Sequence, residues 1–185
     1  MSLSGHWIPK ADSPKSGYAY TMAAKHTGDF SWWWSHIWKL KAPPKSRLFM
    51  WFILIDKVPT KLMLRRHANC RHSRCCLCRM QEGDTSHLYF TYSVSKAFWQ
   101  RILTSLNLHI DWSGRDIEEA WQRWWIKANS QKTSCLPLLI YWAIWLNRNK
   151  SIFKNAKIDW DSSSISLLAL QIIMYFRLIT SLGFG

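Results

Sequence analysis

Residues 75–92 read CCLCRMQEGDTSHLYFTY, and the interpretation of the whole chain depends on this stretch. Cys75 and Cys78 form a C-x-x-C pair, which presents two sulfur atoms to one metal ion on a tight turn. His87 follows after a short polar segment that is long enough to close a loop. Because zinc prefers sulfur and nitrogen ligands in tetrahedral geometry, the stretch predicts the front of a zinc knuckle with three evident ligands.

The spacing does not show where a fourth zinc ligand lies. Cys70, His72 and Cys76 are close by in the sequence. Cys76 stands inside the C-x-x-C turn, where its side chain should point away from the ion. Cys70 is separated from the turn by enough chain to fold back, so we keep it as the candidate. Water in the fourth place, or thiols and a histidine packed without metal, are the alternatives.

The cysteine content indicates an intracellular protein. The chain has 185 residues and five cysteines, four of them within nine positions. An odd and clustered set makes a poor disulfide framework, so reduced thiols are expected. The N-terminus shows no charged region followed by an apolar run, and we therefore expect no signal peptide. We expect the protein in the nucleus rather than the cytoplasm.

Composition favours a mainly α-helical protein. Hydrophobic residues make up 48% of the chain, while the 7 Gly and 6 Pro are too few for a turn-rich sheet protein. Most of the 14 Trp should be buried, since each covers a large apolar area. We predict a loose leader at 1–15, a small helical domain around the knuckle-like turn at 16–110, and a C-terminal helical extension at 111–185.

Hydrophobic periodicity predicts helices along most of the chain. The predicted segments are 16–26, 32 to about 42, 45–56, 61–68, 94–106, 115–128, 136–153 and an apolar run at 165–182. The 45–56 helix has apolar residues on most of its faces and should therefore lie at the centre of the core. The 136–153 helix should be entered at Pro137 and have a polar end at 147–150. Gln171 and Arg177 favour a packed or partner-binding helix at 165–182 over a membrane span.

The charge is positive and unevenly distributed. The net charge is +14, and residues 1–80 hold 14 basic and 3 acidic side chains. A basic half of this kind predicts a polyanionic partner, although a solvated surface that keeps the chain soluble is the alternative. Exposed Trp from 32–38 would add stacking on unpaired bases. The candidate phosphate contacts are Lys61, Arg65, Arg66, Arg71, Arg74 and Arg79.

Several short motifs follow one another in a specific order. They are SPKSGY at 13–18, WSHIWKLKAPPK at 34–45, FMW at 49–51, VPTKLMLRR at 58–66, CCLC at 75–78, HLYF at 87–90, FW at 98–99 and IYWAIWLNRN at 140–149. Together they resemble the zinc-binding region that follows the reverse transcriptase domain in plant LINE-type, non-LTR retrotransposons. The resemblance covers roughly residues 13–153.

The resemblance implies a helical, zinc-containing module beside a polymerase, which helps to hold template RNA or target DNA. It implies Cys75, Cys78 and His87 as the zinc ligands. The family pattern then has a cysteine five residues after the histidine, and this chain has Tyr92 there, a poor zinc ligand. The sequence therefore departs from the pattern at the fourth ligand.

We expect a protein that is not an enzyme. The chain contains no Asp-Asp pair to hold the two metal ions of a polymerase, and its acidic residues are scattered. The favoured function is a non-catalytic nucleic-acid-binding module for RNA or DNA, with weak sequence preference and no small-molecule substrate. One alternative is a protein-interaction factor that uses the Trp-rich helices and 165–182. Another is a decayed retroelement fragment without molecular activity.

Overall fold

The described part of the protein is built from helices. The fold is that of a computed structural model, which describes residues 32–67, 73–128, 131–154, 159–162 and 166. Its elements are α1 Trp33–Lys39, α2 Pro44–Leu54, α3 Lys61–His67, a π-helical turn His87–Thr91, α4 Ser93–Ser105, α5 Ile117–Lys127 and α6 Gln131–Lys154. Within these residues the only β-pairing is an isolated antiparallel bridge between Arg74 and Glu82, which confirms the mainly α class. None of the described helices is both long and apolar enough to cross a membrane.

Helix α2 begins where the proline pair predicts. Pro44 is the first residue of the helix, and its missing amide hydrogen lies where no helical partner exists. The carbonyl oxygen of Pro43 accepts the amide N–H groups of Ser46 and Arg47 at 3.0 and 3.2 Å, which closes the first turn. The predicted helix at 16–26 and, apart from Ser166, the apolar run at 165–182 lie outside the described residues.

Helices α2 and α6 form the centre of the core. They make the most extensive contact between any two described elements. The ring of Phe49 lies 5.5 Å from that of Trp142 and 5.3 Å from that of Trp145, measured between centroids. The nearly fully buried apolar residues of α6 are Leu136, Leu138, Leu139, Ile140, Tyr141 and Ile144. Residues on both sides of the predicted boundary at 111 therefore share one core, while the domain division itself stays a prediction.

The tryptophans are mainly core residues, as predicted. None of the described ones is among the exposed large hydrophobic side chains. The expectation of exposed Trp at 32–38 is wrong for Trp33 and Trp34, which are buried, while Trp32 and Trp38 are half-buried against the same core. Helix α1 lies on α2 and α5, with Trp34 at 6.1 Å from Trp51 and Trp32 at 5.6 Å from Trp121 between ring centroids. The core therefore covers most of the predicted stacking surface, and base stacking by this helix stays a prediction.

Pro137 lies inside a helix rather than at its start. Helix α6 begins at Gln131, so the predicted entry at Pro137 is wrong. Proline has no N–H to bond the carbonyl oxygen of Thr133, four residues before it. The indole Nε1–H of Trp124 on α5 donates to that oxygen at 2.8 Å. A tertiary hydrogen bond thus replaces the missing helical one, which is why periodicity alone placed the helix start too late.

Trp124→Phe should lower the free energy of unfolding by about 0.5–1.5 kcal/mol, because it removes the buried hydrogen bond from the indole to the carbonyl of Thr133. Pro137→Ala in the same chain should recover part of this loss, since the alanine amide can donate to that oxygen. Urea unfolding of both single variants and the double variant measures the coupling. If Trp124→Phe costs the same free energy of unfolding in the Pro137 and Pro137→Ala backgrounds, the indole hydrogen bond does not compensate for the amide that proline lacks.

Candidate metal centre and basic surface

Residues 73–83 form a small hairpin that carries the C-x-x-C pair. The amide N–H of Gly83 donates to the carbonyl of Ser73, and that of Cys75 donates to Gln81, both at 2.7 Å. At the tip, the N–H of Arg79 donates to the carbonyl of Cys75 at 2.9 Å, and Arg79 has φ 57°. The turn that holds both cysteines therefore ends at Arg79, whose left-handed backbone conformation is one that glycine usually adopts.

Gly83 allows helix α3 to approach this hairpin closely. A Cβ atom at Gly83 would lie 3.0 Å from Cα of Cys75 and 3.2 Å from Cβ of Lys61. The amide N–H of Leu62 on α3 donates to the carbonyl of Gly83 at 3.3 Å. A side chain here would require its neighbours to shift by a few tenths of an ångström, so Gly83 permits the close approach of α3 to the hairpin.

The turn after the hairpin brings His87 to the cysteines. The carboxylate of Asp84 accepts the amide N–H of His87 at 2.6 Å, which caps the turn. The hydroxyl of Thr85 donates to the carboxylate of Asp56 at 2.6 Å and ties the turn to the end of α2. The imidazole is buried, and its Nε2 lies 3.3 Å from Sγ of Cys78. Within the described residues its Nδ1 has no hydrogen-bond partner.

The structure brings the three predicted ligands together. One ligand atom from each of Cys75, Cys78 and His87 lies within 4.8 Å of the other two. Tetrahedral zinc, with bonds of about 2.3 Å to sulfur and about 2.0 Å to nitrogen, needs ligand atoms about 3.5–3.8 Å apart. The three side chains therefore fit a zinc ion with small adjustments. Zinc, when bound, would cross-link the hairpin to the following turn.

Tyr92 lies beside this cluster, at the position where the resemblance implied a fourth ligand. Its ring centroid is 5.3 Å from that of His87, and its N–H donates to the carbonyl of His87 at 2.8 Å. Burial raises the pKa of Tyr92, and the nearby thiols of Cys75 and Cys78 raise it further. The phenol therefore stays protonated and is a poor ligand. Cys70 lies outside the described residues, so its role as fourth ligand stays a prediction.

The cluster must lose protons to bind a metal. A hydrogen bond with the thiol of Cys76 and then burial raise the pKa of Cys75 to about 12. Only thiolates coordinate zinc, so the metal has to displace this proton. Zinc binding should therefore weaken as the pH falls, because protons compete for the same sulfur atom.

Arg148 is a buried residue that the sequence analysis missed. It is 3% exposed and Asn147 is also buried, so two residues of the predicted polar end at 147–150 lie in the interior. The guanidinium lies 4.9 Å from the ring centroid of Trp145. A hydrogen bond between Cys76 and Cys75 lowers the pKa of Cys76 to about 6, and the positive charge of Arg148 contributes to the same shift. Helix α6 thus passes beside the knuckle.

The spacing contained a signal for this residue. Ile140, Ile144 and Arg148 are four apart in sequence and share one face of a helix. The two isoleucines are fully buried, so the same face buries Arg148.

Five of the predicted phosphate contacts lie on α3 and the hairpin, and we call them the basic surface. Its members are Lys61, Arg65, Arg66, Arg74 and Arg79. All but the half-buried Lys61 are exposed, and within the described part of the chain none forms an ion pair. Arg65 Nη1 donates to the hydroxyl of Ser73 at 3.1 Å, and that hydroxyl donates to Glu82 at 3.1 Å. Arg71 lies outside the described residues.

A short hairpin with a C-x-x-C turn, a histidine from the next turn and a helical core define a zinc-knuckle-like helical protein. Residues 13–99 match the model of the family described as zinc-binding in reverse transcriptase. The match to this segment confirms the resemblance, while the plant LINE-type origin stays a prediction. The family is a zinc-binding region and is not the catalytic polymerase domain. Neither the curated proteins nor the solved structures give a match.

Proposed function

We propose that this protein is a non-catalytic nucleic-acid-binding module derived from a plant LINE-type retrotransposon. The observation that carries the proposal is the basic surface next to the metal centre. Its cations have no carboxylate partner among the described residues, so their charge is available to phosphate groups. Ion pairs occur instead on other helices, such as that of Arg123 with Glu119 at 2.8 Å.

The two elements of the basic surface are held in one arrangement. Helix α3 bonds to the hairpin through Leu62 and Gly83, and Arg65 bonds to Ser73. A fixed group of cations binds the phosphate backbone through counterion release, which carries little sequence information. The proposed partner is therefore RNA or DNA with weak sequence preference. Nuclear location is part of the same proposal.

Affinity for nucleic acid should fall steeply with salt. Anisotropy titrations of single-stranded RNA and of duplex DNA over a salt series give the slope of log affinity against log salt. Replacing Lys61, Arg66, Arg74 and Arg79 by Gln should make that slope less steep by about 3, because each phosphate contact contributes about 0.7–0.9. Arg65 is left in place because it bonds to the hairpin.

A control variant removes the same charge elsewhere. Arg115, Arg123, Lys127 and Lys150 lie on or next to α5 and α6, away from the basic surface in sequence, and are also replaced by Gln. This variant should keep most of the salt slope. A flat slope in the unmodified protein, or equal loss in both variants, would contradict the proposed use of the basic surface.

A further inference from the structure

The tip of the knuckle hairpin presents an apolar side chain to solvent. Met80 is 84% exposed, the highest value among the exposed large hydrophobic residues of the described chain. It follows Arg79, whose left-handed backbone turns the chain at the tip. The backbone bonds between Cys75 and Gln81 and between Ser73 and Gly83 hold the base of the hairpin. Met80 therefore projects from a fixed turn rather than from a loose loop.

The charge around this methionine suits a polyanion. Arg74 and Arg79 are exposed on the same hairpin, and helix α3 with the other cations of the basic surface is bonded to it. Glu82 is the carboxylate of this hairpin, and it accepts a hydrogen bond from Ser73. This arrangement is complementary to a groove of a duplex. The flanking arginines would contact the phosphates on either side of the groove, and the methionine at the tip would contact the base pairs.

The burial of the tryptophans favours a duplex over a single strand as the partner. Proteins that hold single strands stack successive bases on exposed aromatic rings. The described tryptophans are buried or half-buried, and the strongly exposed Phe153 lies on α6 rather than on α3 or the hairpin, so the described residues of the basic surface do not include such a platform. Proteins that enter the minor groove instead insert a compact apolar side chain, methionine among them, between two base pairs. Met80 has this character.

We propose that Met80 is a wedge that inserts at a weakened base step of a double-stranded nucleic acid while Arg74 and Arg79 contact the flanking phosphates. This inference rests on the proposed nucleic-acid binding and adds the class of partner, a duplex with a bulge or a mismatch. Insertion costs less where stacking is already broken, so such a step is bound more tightly than an intact one.

The test uses short DNA duplexes with 2-aminopurine next to a one-base bulge, and intact duplexes of the same sequence. The full-length protein should increase the 2-aminopurine fluorescence on binding, since unstacking relieves its quenching. It should prefer the bulged duplex by about tenfold. Met80→Ser should lose the fluorescence increase and the preference while keeping the salt slope, and Met80→Leu should keep all three.

The control is an equally exposed apolar residue elsewhere. Ile126 on α5 is 76% exposed, and Ile126→Ser should behave like the unmodified protein. Binding without a fluorescence increase, or an increase that survives Met80→Ser, overturns the wedge and leaves the proposed function standing. Absence of binding to both duplexes overturns the wedge, and absence of binding to single-stranded RNA as well overturns the proposed function. Circular dichroism melts of each variant show that the exposed substitutions leave the fold intact.

Discussion

A chain truncated after residue 110 is expected to lose its cooperative unfolding transition, although it contains the whole family segment at 13–99. The reason is helix α6, which supplies six nearly fully buried apolar side chains to the common core. Each such side chain contributes about 1.5–3 kcal/mol on burial, so their removal costs on the order of 10 kcal/mol. A domain of this size has a total stability of about 5–15 kcal/mol. Urea titration followed by tryptophan fluorescence measures the loss.

The matched control is a chain that ends after residue 162. It keeps every residue of the described core, including Trp160, whose ring lies 5.2 Å from that of Phe98. This protein should retain a sigmoidal transition. A cooperative transition in the 1–110 protein would show that the segment before the linker folds alone, as the predicted domain division has it.

Tyr92→Cys is expected to raise zinc affinity by about 100-fold or more. The substitution places a thiol beside the three clustered ligands and completes a tetrahedral set. The loss of a partner that merely orients a ligand already changes metal affinity by roughly 10–100-fold, and a direct ligand should contribute at least as much. Competition with a zinc chelator measures the affinity. The difference between the melting temperatures measured with and without chelator should be larger for this variant than for the unmodified protein, because metal binding is coupled to folding.

Two further variants show where the fourth ligand lies. Tyr92→Ser removes the phenol without adding a ligand and should leave zinc affinity close to that of the unmodified protein. If the cysteine and serine variants bind zinc equally well, the side chain at this position does not reach the metal. Cys70→Ser would then be expected to lower the affinity of the unmodified protein, because Cys70 is the other candidate ligand.

The three predicted ligands lie together in the structure because they are close in sequence. A C-x-x-C turn and a histidine nine residues after Cys78 are joined by a hairpin and one capped turn. Local hydrogen bonds therefore determine most of the geometry. The buried Arg148 was missed for the opposite reason, since it reaches the knuckle from a helix far along the chain and donates to the carbonyl of Pro59 at 3.5 Å.

The amino-acid sequence by itself determined the helical class, the family of the 13–99 segment and the three clustered ligands, because periodicity, motif order and ligand spacing are local properties of the chain. Only the tertiary structure decided which side chains are available to a partner. It buried Trp33 and Trp34, which the sequence analysis placed on a stacking surface, and left Met80 exposed at the hairpin tip. Burial depends on contacts between distant elements, which local patterns indicate only in part.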